Sequence, residues 1–290
     1  MKSLHFLYFF LIIISTSIKA QGRFDTVEIK TTKLTEHTYM LEGAGGNIGV
    51  SVGDDGIFVI DDQFAPLSEK ILTAIKAISD QPLKFLINTH YHGDHSGGNE
   101  NMAKAGATII AHENVKKRLV EKQTSKNALP VITFNDKLNI TINNESIAVF
   151  HVANAHTDGD ALLYFTESNV LHTGDTYFNG RYPYIDLDSG GSVKGYIEAV
   201  KKGLMLIDDR TKIIPGHGKL ANKEDYKNFL EMLETLQKSI QKAINEGKTE
   251  DDVKNDSSLT KTYDVLGYGT GFINSEKIRL TFYKSLKVND

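Results

Sequence analysis

The segment 85–100 reads FLINTHYHGDHSGGNE and holds three of the chain's ten histidines within six residues. His90 and His92 are two apart on an extended stretch, so both side chains leave the same face of the backbone. The glycine that follows permits a sharp turn, and Asp94 and His95 then begin a predicted helix. Imidazole and carboxylate groups presented together at this spacing are typical of metal ligands. The segment therefore predicts a metal site.

Three more polar residues follow short apolar runs further along the chain. His156, Asp175 and His217 come after IAVFHVAN, NVLHTG and TKIIPG, respectively. Because α/β folds place ligand-binding groups at strand ends, we expect these residues and segment 85–100 to meet in one cleft. These residues predict two metal sites that share one carboxylate. The first site has three nitrogen ligands, from His90, His92 and His156. The second has mixed ligands, from Asp94, His95 and His217, and Asp175 bridges the two sites.

A metal site with three protein ligands and an open position is typical of catalysis, whereas structural zinc sites are closed by four ligands. Bound zinc lowers the pKa of water to roughly 7, which gives hydroxide at neutral pH without a protein nucleophile. Asp94 is the predicted catalytic residue, because it can orient that water and accept its proton. Four other histidines lack spaced partners and are interpreted as packed or surface residues, with His172 the nearest to a supporting role: His37, His112, His151 and His172.

The elements that must position these groups alternate between strands and helices. Four β-rich runs precede residue 65, a helix is predicted over 67–79, and a buried strand over 84–88 leads into a helix near residue 94. The second half repeats the strands and adds helices over 193–207 and 223–246. No linker rich in glycine, serine or proline divides the halves. The pattern predicts one α/β domain over 21–290, with two sheets face to face and helices outside.

Residues 1–20, MKSLHFLYFFLIIISTSIKA, predict a secretory signal peptide cleaved after Ala20. The apolar core is about half the ~20 residues that span a bilayer, and a retained N-terminal anchor is the alternative. Cleavage would change the formal charge from −4 to −6, and the chain has no basic block. We therefore expect an exported, periplasmic or secreted protein with a small-molecule substrate, and no binding of nucleic acid or membrane. The absence of cysteine excludes thiolate chemistry.

The pieces THYHGDHSGGN, NAHTDGDALLYF, LHTGDTYF and IIPGHG resemble, in order and spacing, the metallo-β-lactamase-fold hydrolases. The resemblance covers essentially the whole chain after residue 20. It implies a four-layer αββα sandwich of two mixed sheets, with two zinc ions held between the sheets by the seven residues given above.

The sequence departs from that family at two positions. Asp175 stands where the Cys-containing zinc β-lactamases have cysteine, and it matches instead the pattern of glyoxalase II, the lactonases and the wider superfamily. Phe178 stands where the β-lactamases carry a lysine for the drug's carboxylate and where lactonases often carry a tyrosine. Arg181 and Lys194 are the candidate replacements for that lysine.

The segment 176–192, TYFNGRYPYIDLDSGGS, leaves a predicted metal ligand directly and has no periodicity. Loops with aromatic residues beside a site often contact the ligand, so this loop is expected to form a wall of the cleft. The turn 43–47 is a second candidate, as a flap over the opening. The candidate substrate-binding residues are Tyr177, Phe178, Arg181, Tyr182 and Lys194.

Four functions remain open at this point. The preferred one is an exported zinc hydrolase that cleaves an acyl bond in a β-lactam, a lactone or a similar substrate. A glyoxalase II-type thioesterase is the second, although the chain lacks an evident basic cluster for a glutathione-like ligand. The third is an iron-dependent protein resembling the persulfide dioxygenases. The fourth is a non-catalytic binding module, which the complete set of predicted ligands disfavours.

Overall fold

The computed structural model describes residues 22–287, so the predicted signal peptide 1–20 lies outside the described residues. The first sheet has seven strands in chain order. The first four strands pair antiparallel, and the last four pair parallel. The strands are β1 (Lys30–Lys33), β2 (Thr38–Glu42), β3 (Ile48–Gly53), β4 (Gly56–Ile60), β5 (Leu83–Asn88), β6 (Thr108–His112) and β7 (Ile132–Phe134).

The second sheet has five strands in the order β12-β11-β10-β9-β8. Its pairs are antiparallel except for β11 with β12, so this sheet is mixed as well. Its strands are β8 (Lys137–Ile142), β9 (Glu145–His151), β10 (Ala161–Phe165), β11 (Val170–His172) and β12 (Lys212–Ile214).

The helices flank the two sheets, and within residues 22–287 none of them combines the length and apolar character needed to cross a membrane. The helix expected near residue 94 is two short helices, because a Gly-Gly pair at 97–98 follows the first. The helices are α1 (Ser68–Ile78), α2 (Gly93–Ser96), α3 (Asn99–Lys104), α4 (Glu113–Glu121), α5 (Val193–Leu206), α6 (Lys223–Asn245), α7 (Glu250–Asn255), α8 (Lys261–Asp264) and α9 (Ser275–Lys287).

Successive side chains along a strand pack into different layers of the molecule. In β4, Val59 packs into an outer core with α1, whereas Ile60 packs between the two sheets. In β10, Leu163 faces the same central core, whereas Leu162 belongs to the outer core with α5, α6 and α9. Successive side chains of a strand point to opposite faces, so each sheet buries both of its faces. This arrangement confirms the predicted four-layer αββα sandwich of two mixed sheets.

Candidate metal centre

The segment that follows β5 carries His90 and His92 toward one point and Tyr91 away from it. Tyr91 is buried against Val115 and Leu119 of α4. Its hydroxyl lies 2.9 Å from Oδ2 of Asp186. This alternation follows from the extended backbone, as the sequence predicted.

Three histidines and an aspartate form the first cluster of donor atoms: His90, His92, His156 and Asp175. Nε2 of His156 lies 2.8 Å from Nδ1 of His92. Oδ2 of Asp175 lies 3.8 Å from Nε2 of His90 and 3.6 Å from Nε2 of His156. His90, His156 and Asp175 are almost fully buried, and His92 lies at the edge toward the cleft.

Asp94, His95 and His217 form a second cluster beside the first. Oδ2 of Asp94 lies 3.3 Å from Nε2 of His217 and 3.8 Å from Nε2 of His95. The other oxygen of Asp175, Oδ1, is 3.0 Å from Nε2 of His95 and 3.4 Å from Nε2 of His217. The Asp175 carboxylate thus presents one oxygen to each cluster.

The donor set fits a pair of divalent metal ions. Nε2 of His90 is buried without a hydrogen-bond partner and faces the other donors, a costly arrangement unless a ligand is bound there. Imidazole nitrogens and carboxylate oxygens are the ligands of catalytic zinc sites. The first cluster and the second could therefore each hold one ion, with Asp175 shared.

Burial and mutual charge set the protonation states of these ligands. Burial lowers the pKa of His90 well below its usual value and lowers the pKa of His156 to about 4. Burial alone would raise the pKa of Asp175, but the charges of His95 and His217 hold it well below its usual range. Burial alone would lower the pKa of His217, but Asp175 and Asp94 raise it to about 9. His90 and His156 thus offer neutral imidazoles, whereas His217 must release a proton to bind metal.

Partners behind the ligands fix the orientation of each imidazole. Nδ1 of His95 lies 2.7 Å from Oδ2 of Asp61, and the Asp61 carboxylate accepts hydrogen bonds from both the backbone and the hydroxyl of Thr89. Nδ1 of His156 lies 2.7 Å from the carbonyl oxygen of Tyr184. Such partners select the ring nitrogen that faces the metal.

The turn 43–47 is held against the site and does not form a free flap. The amide of Gly46 donates to the carbonyl of Asp94 at 3.0 Å, and Asn47 bonds to the carbonyls of Pro215, Gly216 and Gly218. A Cβ on Gly46 would lie 2.0 Å from Cε1 of His95, so only glycine fits this approach. Ala44, at the tip of the turn, still lines the opening.

A cleft of about 400 Å³ opens beside the two clusters. Phe178, Arg181 and Tyr182 line it, as expected for the loop 176–192. Tyr177 does not, because its ring is fully buried against Tyr226 and Phe229 in the outer core. Lys194 is exposed on the first turn of α5 and is not among the residues that line the cleft. Tyr177 and Lys194 are thus corrected as substrate-binding candidates.

The other histidines within residues 22–287 lie outside both clusters. His172 is fully buried, accepts a hydrogen bond from the amide of Gly174 and bonds to the carbonyl of Asn47, so it joins the Asp175 loop to the turn 43–47. His112 and His151 stack on each other with their ring centroids 3.9 Å apart. His37 is exposed.

Sequence reasoning missed the supporting residues Asp61, Thr89, Tyr184 and Asp186. A signal for Asp61 was present, since it follows the apolar run GIFVI in the same way that the ligands follow their strands. Its backbone is left-handed, with φ of 62°. Asp186 lies in an aperiodic loop, where no pattern marks it.

Comparisons with known proteins agree with this geometry. The family model described as the metallo-beta-lactamase superfamily matches residues 42–217. A hydroxyacylglutathione hydrolase of Pelagibacter ubique is 28% identical over 184 residues, which cover 59% of this chain and 70% of that protein. The alpha subunit of a 2,4-dinitroanisole O-demethylase of Nocardioides sp. is 26% identical over 132 residues, which cover 44% of this chain and 40% of that protein. The matched region thus spans 70% of the Pelagibacter protein but only 40% of the Nocardioides protein.

A solved structure, the metallo-beta-lactamase from Pontibacter korlensis, superposes with a TM-score of 0.64. It covers 71% of this chain and 99% of that chain at 18% identity, which shows the fold. The family match spans more than half of the sequence and contains both donor clusters. The chain therefore belongs to the metallo-beta-lactamase superfamily, and its two His/Asp clusters are the candidate metal site.

Proposed function

We propose that this protein is an exported dinuclear zinc hydrolase that cleaves an acyl bond, with a β-lactam, a lactone or a similar compound as substrate. The observation that carries the proposal is the Asp175 carboxylate, which faces His90 and His156 with one oxygen and His95 and His217 with the other. Two metal ions held in this way would lower the pKa of bound water to roughly 7 and polarise a carbonyl.

Asp94 holds the attacking water and accepts its proton in this proposal. Its carboxylate lines the cleft and is partly exposed, so a water molecule can reach it. Burial alone would raise the pKa of Asp94, but the charge of His95 and a hydrogen bond from His217 bring it below the usual value. An ionised carboxylate at neutral pH can act as a general base.

Arg181 is the proposed contact for an anionic group of the substrate. It is exposed, lines the cleft, and makes no ion pair within residues 22–287. A guanidinium can bind a carboxylate through two parallel hydrogen bonds. Phe178, whose ring stacks on His217 at a centroid distance of 4.9 Å, forms the adjacent apolar surface.

A glyoxalase II-type thioesterase is the second candidate, because hydroxyacylglutathione hydrolases are among the curated relatives. The described lining of the cleft offers this candidate two cationic groups for an anionic thiol moiety, the guanidinium groups of Arg23 and Arg181. Iron in place of zinc is the further alternative for the metal. Metal analysis of protein purified without added metal distinguishes these two ions.

Turnover by the zinc-loaded protein tests the proposed reaction. The panel contains nitrocefin, a lactone, a thioester and a phosphodiester. We expect hydrolysis of the lactam or the lactone. Turnover of the phosphodiester alone contradicts the acyl-bond proposal, and turnover of the thioester alone favours the second candidate. Export is tested separately by mass spectrometry of the secreted protein, whose first residue is expected to be Gln21.

Replacement of His90 or His156 by alanine is expected to reduce hydrolysis by more than about 100-fold, because even partners behind metal ligands contribute 10–100-fold. His37→Ala, at an exposed histidine, serves as the control and should keep full activity. Circular dichroism checks that each variant is folded. Full activity in either of the two cluster variants, with metal content measured, would contradict the assignment.

A further inference from the structure

The cleft beside Asp94 and His217 has a wall of aromatic and apolar side chains. Phe64, Phe178, Tyr184, Phe272 and Ile273 line it. A site built only for a small polar substrate would not need such a wall, because apolar surface in contact with water is unfavourable. The wall therefore indicates an apolar group on the ligand.

Phe272 is the outermost part of this wall. The side chain is 75% exposed although it is large and apolar. Its ring meets Tyr184 edge to face, with centroids 5.8 Å apart and planes at 88°. Tyr184 in turn stacks on His92 at 5.7 Å and 29°. A row of aromatic rings thus extends from His92 of the first cluster through Tyr184 to Phe272 at the mouth of the cleft.

The backbone that carries Phe272 is held in place. The hydroxyl of Tyr182 donates to Oδ1 of Asp264 at 2.8 Å, and its amide donates to the carbonyl of Tyr268 at 3.3 Å. Ser275 also donates to Oδ1 of Asp264, at 2.5 Å. The two bonds from Tyr182 join the segment 264–275 to the loop that follows Asp175, and the bond from Ser275 ties the two ends of the segment together. The segment lies beyond residue 217, where the family match ends, so this part of the wall comes from outside the matched region.

We propose that the cleft selects acyl substrates that carry an aryl or branched alkyl group next to the scissile carbonyl, and that Phe272 and Tyr184 hold this group. The proposal rests on the proposed function. Tyr184 lies directly against His92, so a group in contact with Tyr184 lies near the reacting carbonyl. The ammonium of Lys277 lies 5.0 Å from the Phe272 ring centroid, which leaves the other face of the ring for the ligand. Covering that face removes apolar surface from water and adds an aromatic contact.

The affinities of the zinc-loaded protein for phenylacetate and acetate, measured by isothermal titration calorimetry, test the proposed role of the wall without turnover. We expect phenylacetate to bind at least about tenfold more tightly than acetate. Phe272→Ala should reduce that preference at least about fivefold and leave acetate binding unchanged. Val265→Ala is the control, since Val265 is 76% exposed on the same segment and is not among the residues that line the cleft. Equal or undetectable binding of phenylacetate, or the same preference in both variants, overturns the proposal.

Turnover separates this proposal from the proposed function. Phenylacetyl and acetyl thioesters of one thiol, and the corresponding esters of one alcohol, differ only in the acyl group, and we expect kcat/KM to favour phenylacetyl. A preference in binding without hydrolysis of any acyl substrate contradicts the hydrolase proposal and leaves the wall supported. If the wild type hydrolyses the two acyl groups with equal kcat/KM, the proposed role of the aromatic wall is contradicted and the hydrolase proposal is not.

Discussion

The carboxylate of Asp186 connects a predicted metal ligand with the loop that lines the cleft. Oδ2 of Asp186 lies 3.0 Å from Nε2 of His92 and accepts a hydrogen bond from Tyr91. Burial alone would raise the pKa of Asp186, but these hydrogen bonds and one from Ser189 lower it below the usual range. Since Nε2 of His92 is engaged in this way, Nδ1 is the nitrogen that faces the first cluster. Asp186 is therefore a positioning residue.

Asp186→Asn should weaken zinc binding at the first cluster by about 10–100-fold, because a neutral amide holds the His92 ring less firmly than a carboxylate does. A competition titration with a zinc chelator measures the change. Asp188→Asn is the matched control, since Asp188 is exposed in the same loop and its loss removes the same charge. Equal zinc affinity in the two variants would show that the contact with His92 has no effect.

At the scale of elements, the turn 43–47 between β2 and β3 packs directly against His95 of the second cluster. Gly46→Ala places a methyl group 2.0 Å from the His95 ring, so either the ring or the turn must move. We expect the variant to lose metal from the second cluster and to bind about one ion per chain, measured by atomic emission after dialysis. Gly271→Ala is the control, because its Cβ meets no atom closer than 3.8 Å. Two bound ions in the Gly46 variant would contradict the steric argument.

A different histidine pair joins the ends of two strands: His112 ends β6, His151 ends β9, and their rings stack with centroids 3.9 Å apart. Burial, together with the charge of His151, lowers the pKa of His112 from 6.5 to about 4. Between these two pH values the unfolded chain binds a proton that the folded chain does not. The free energy of unfolding therefore falls as the pH is lowered from 6.5 to 4.

His112→Asn should reduce this fall in the free energy of unfolding at low pH, because asparagine does not titrate. Asparagine also retains an N-cap for α4. Urea denaturation at pH 7 and pH 4.5 measures the free energy of unfolding in each case. The exposed His37→Asn is the control and should keep the pH dependence of the wild type. An unchanged dependence in the His112 variant would show that other groups account for it.

The accuracy of the sequence predictions differs between elements for physical reasons. The strands that lead to the clusters were predicted because they are buried on both faces and read as short apolar runs, as in FLIN before His90 and KII before His217. The small helices α7 and α8 are four to six residues long, too short to show a periodic pattern. The cleft wall at Phe272 could not be predicted, since it depends on contacts such as that of Tyr182 with Asp264, which are distant in sequence.

At the scale of the whole molecule, the donor clusters draw on both sheets. We expect zinc at about 100 times its dissociation constant to add about 2.7 kcal/mol to the free energy of unfolding and to raise Tm by about 5–10 °C. Differential scanning calorimetry with and without a chelator measures the shift. His156→Ala should show a smaller shift than the wild type. The same shift in both proteins would place the stabilising metal elsewhere.

The position of the donors across the seam between the sheets has a consequence for local motion. His90 follows β5 in one sheet, whereas Asp175 and His217 follow β11 and β12 in the other. The sheets cannot part at this end while both ions are coordinated. Amide hydrogens near the carboxyl ends of β5 and β11 should then exchange with deuterium together, and removal of the ions should accelerate the exchange in both strands by the same factor.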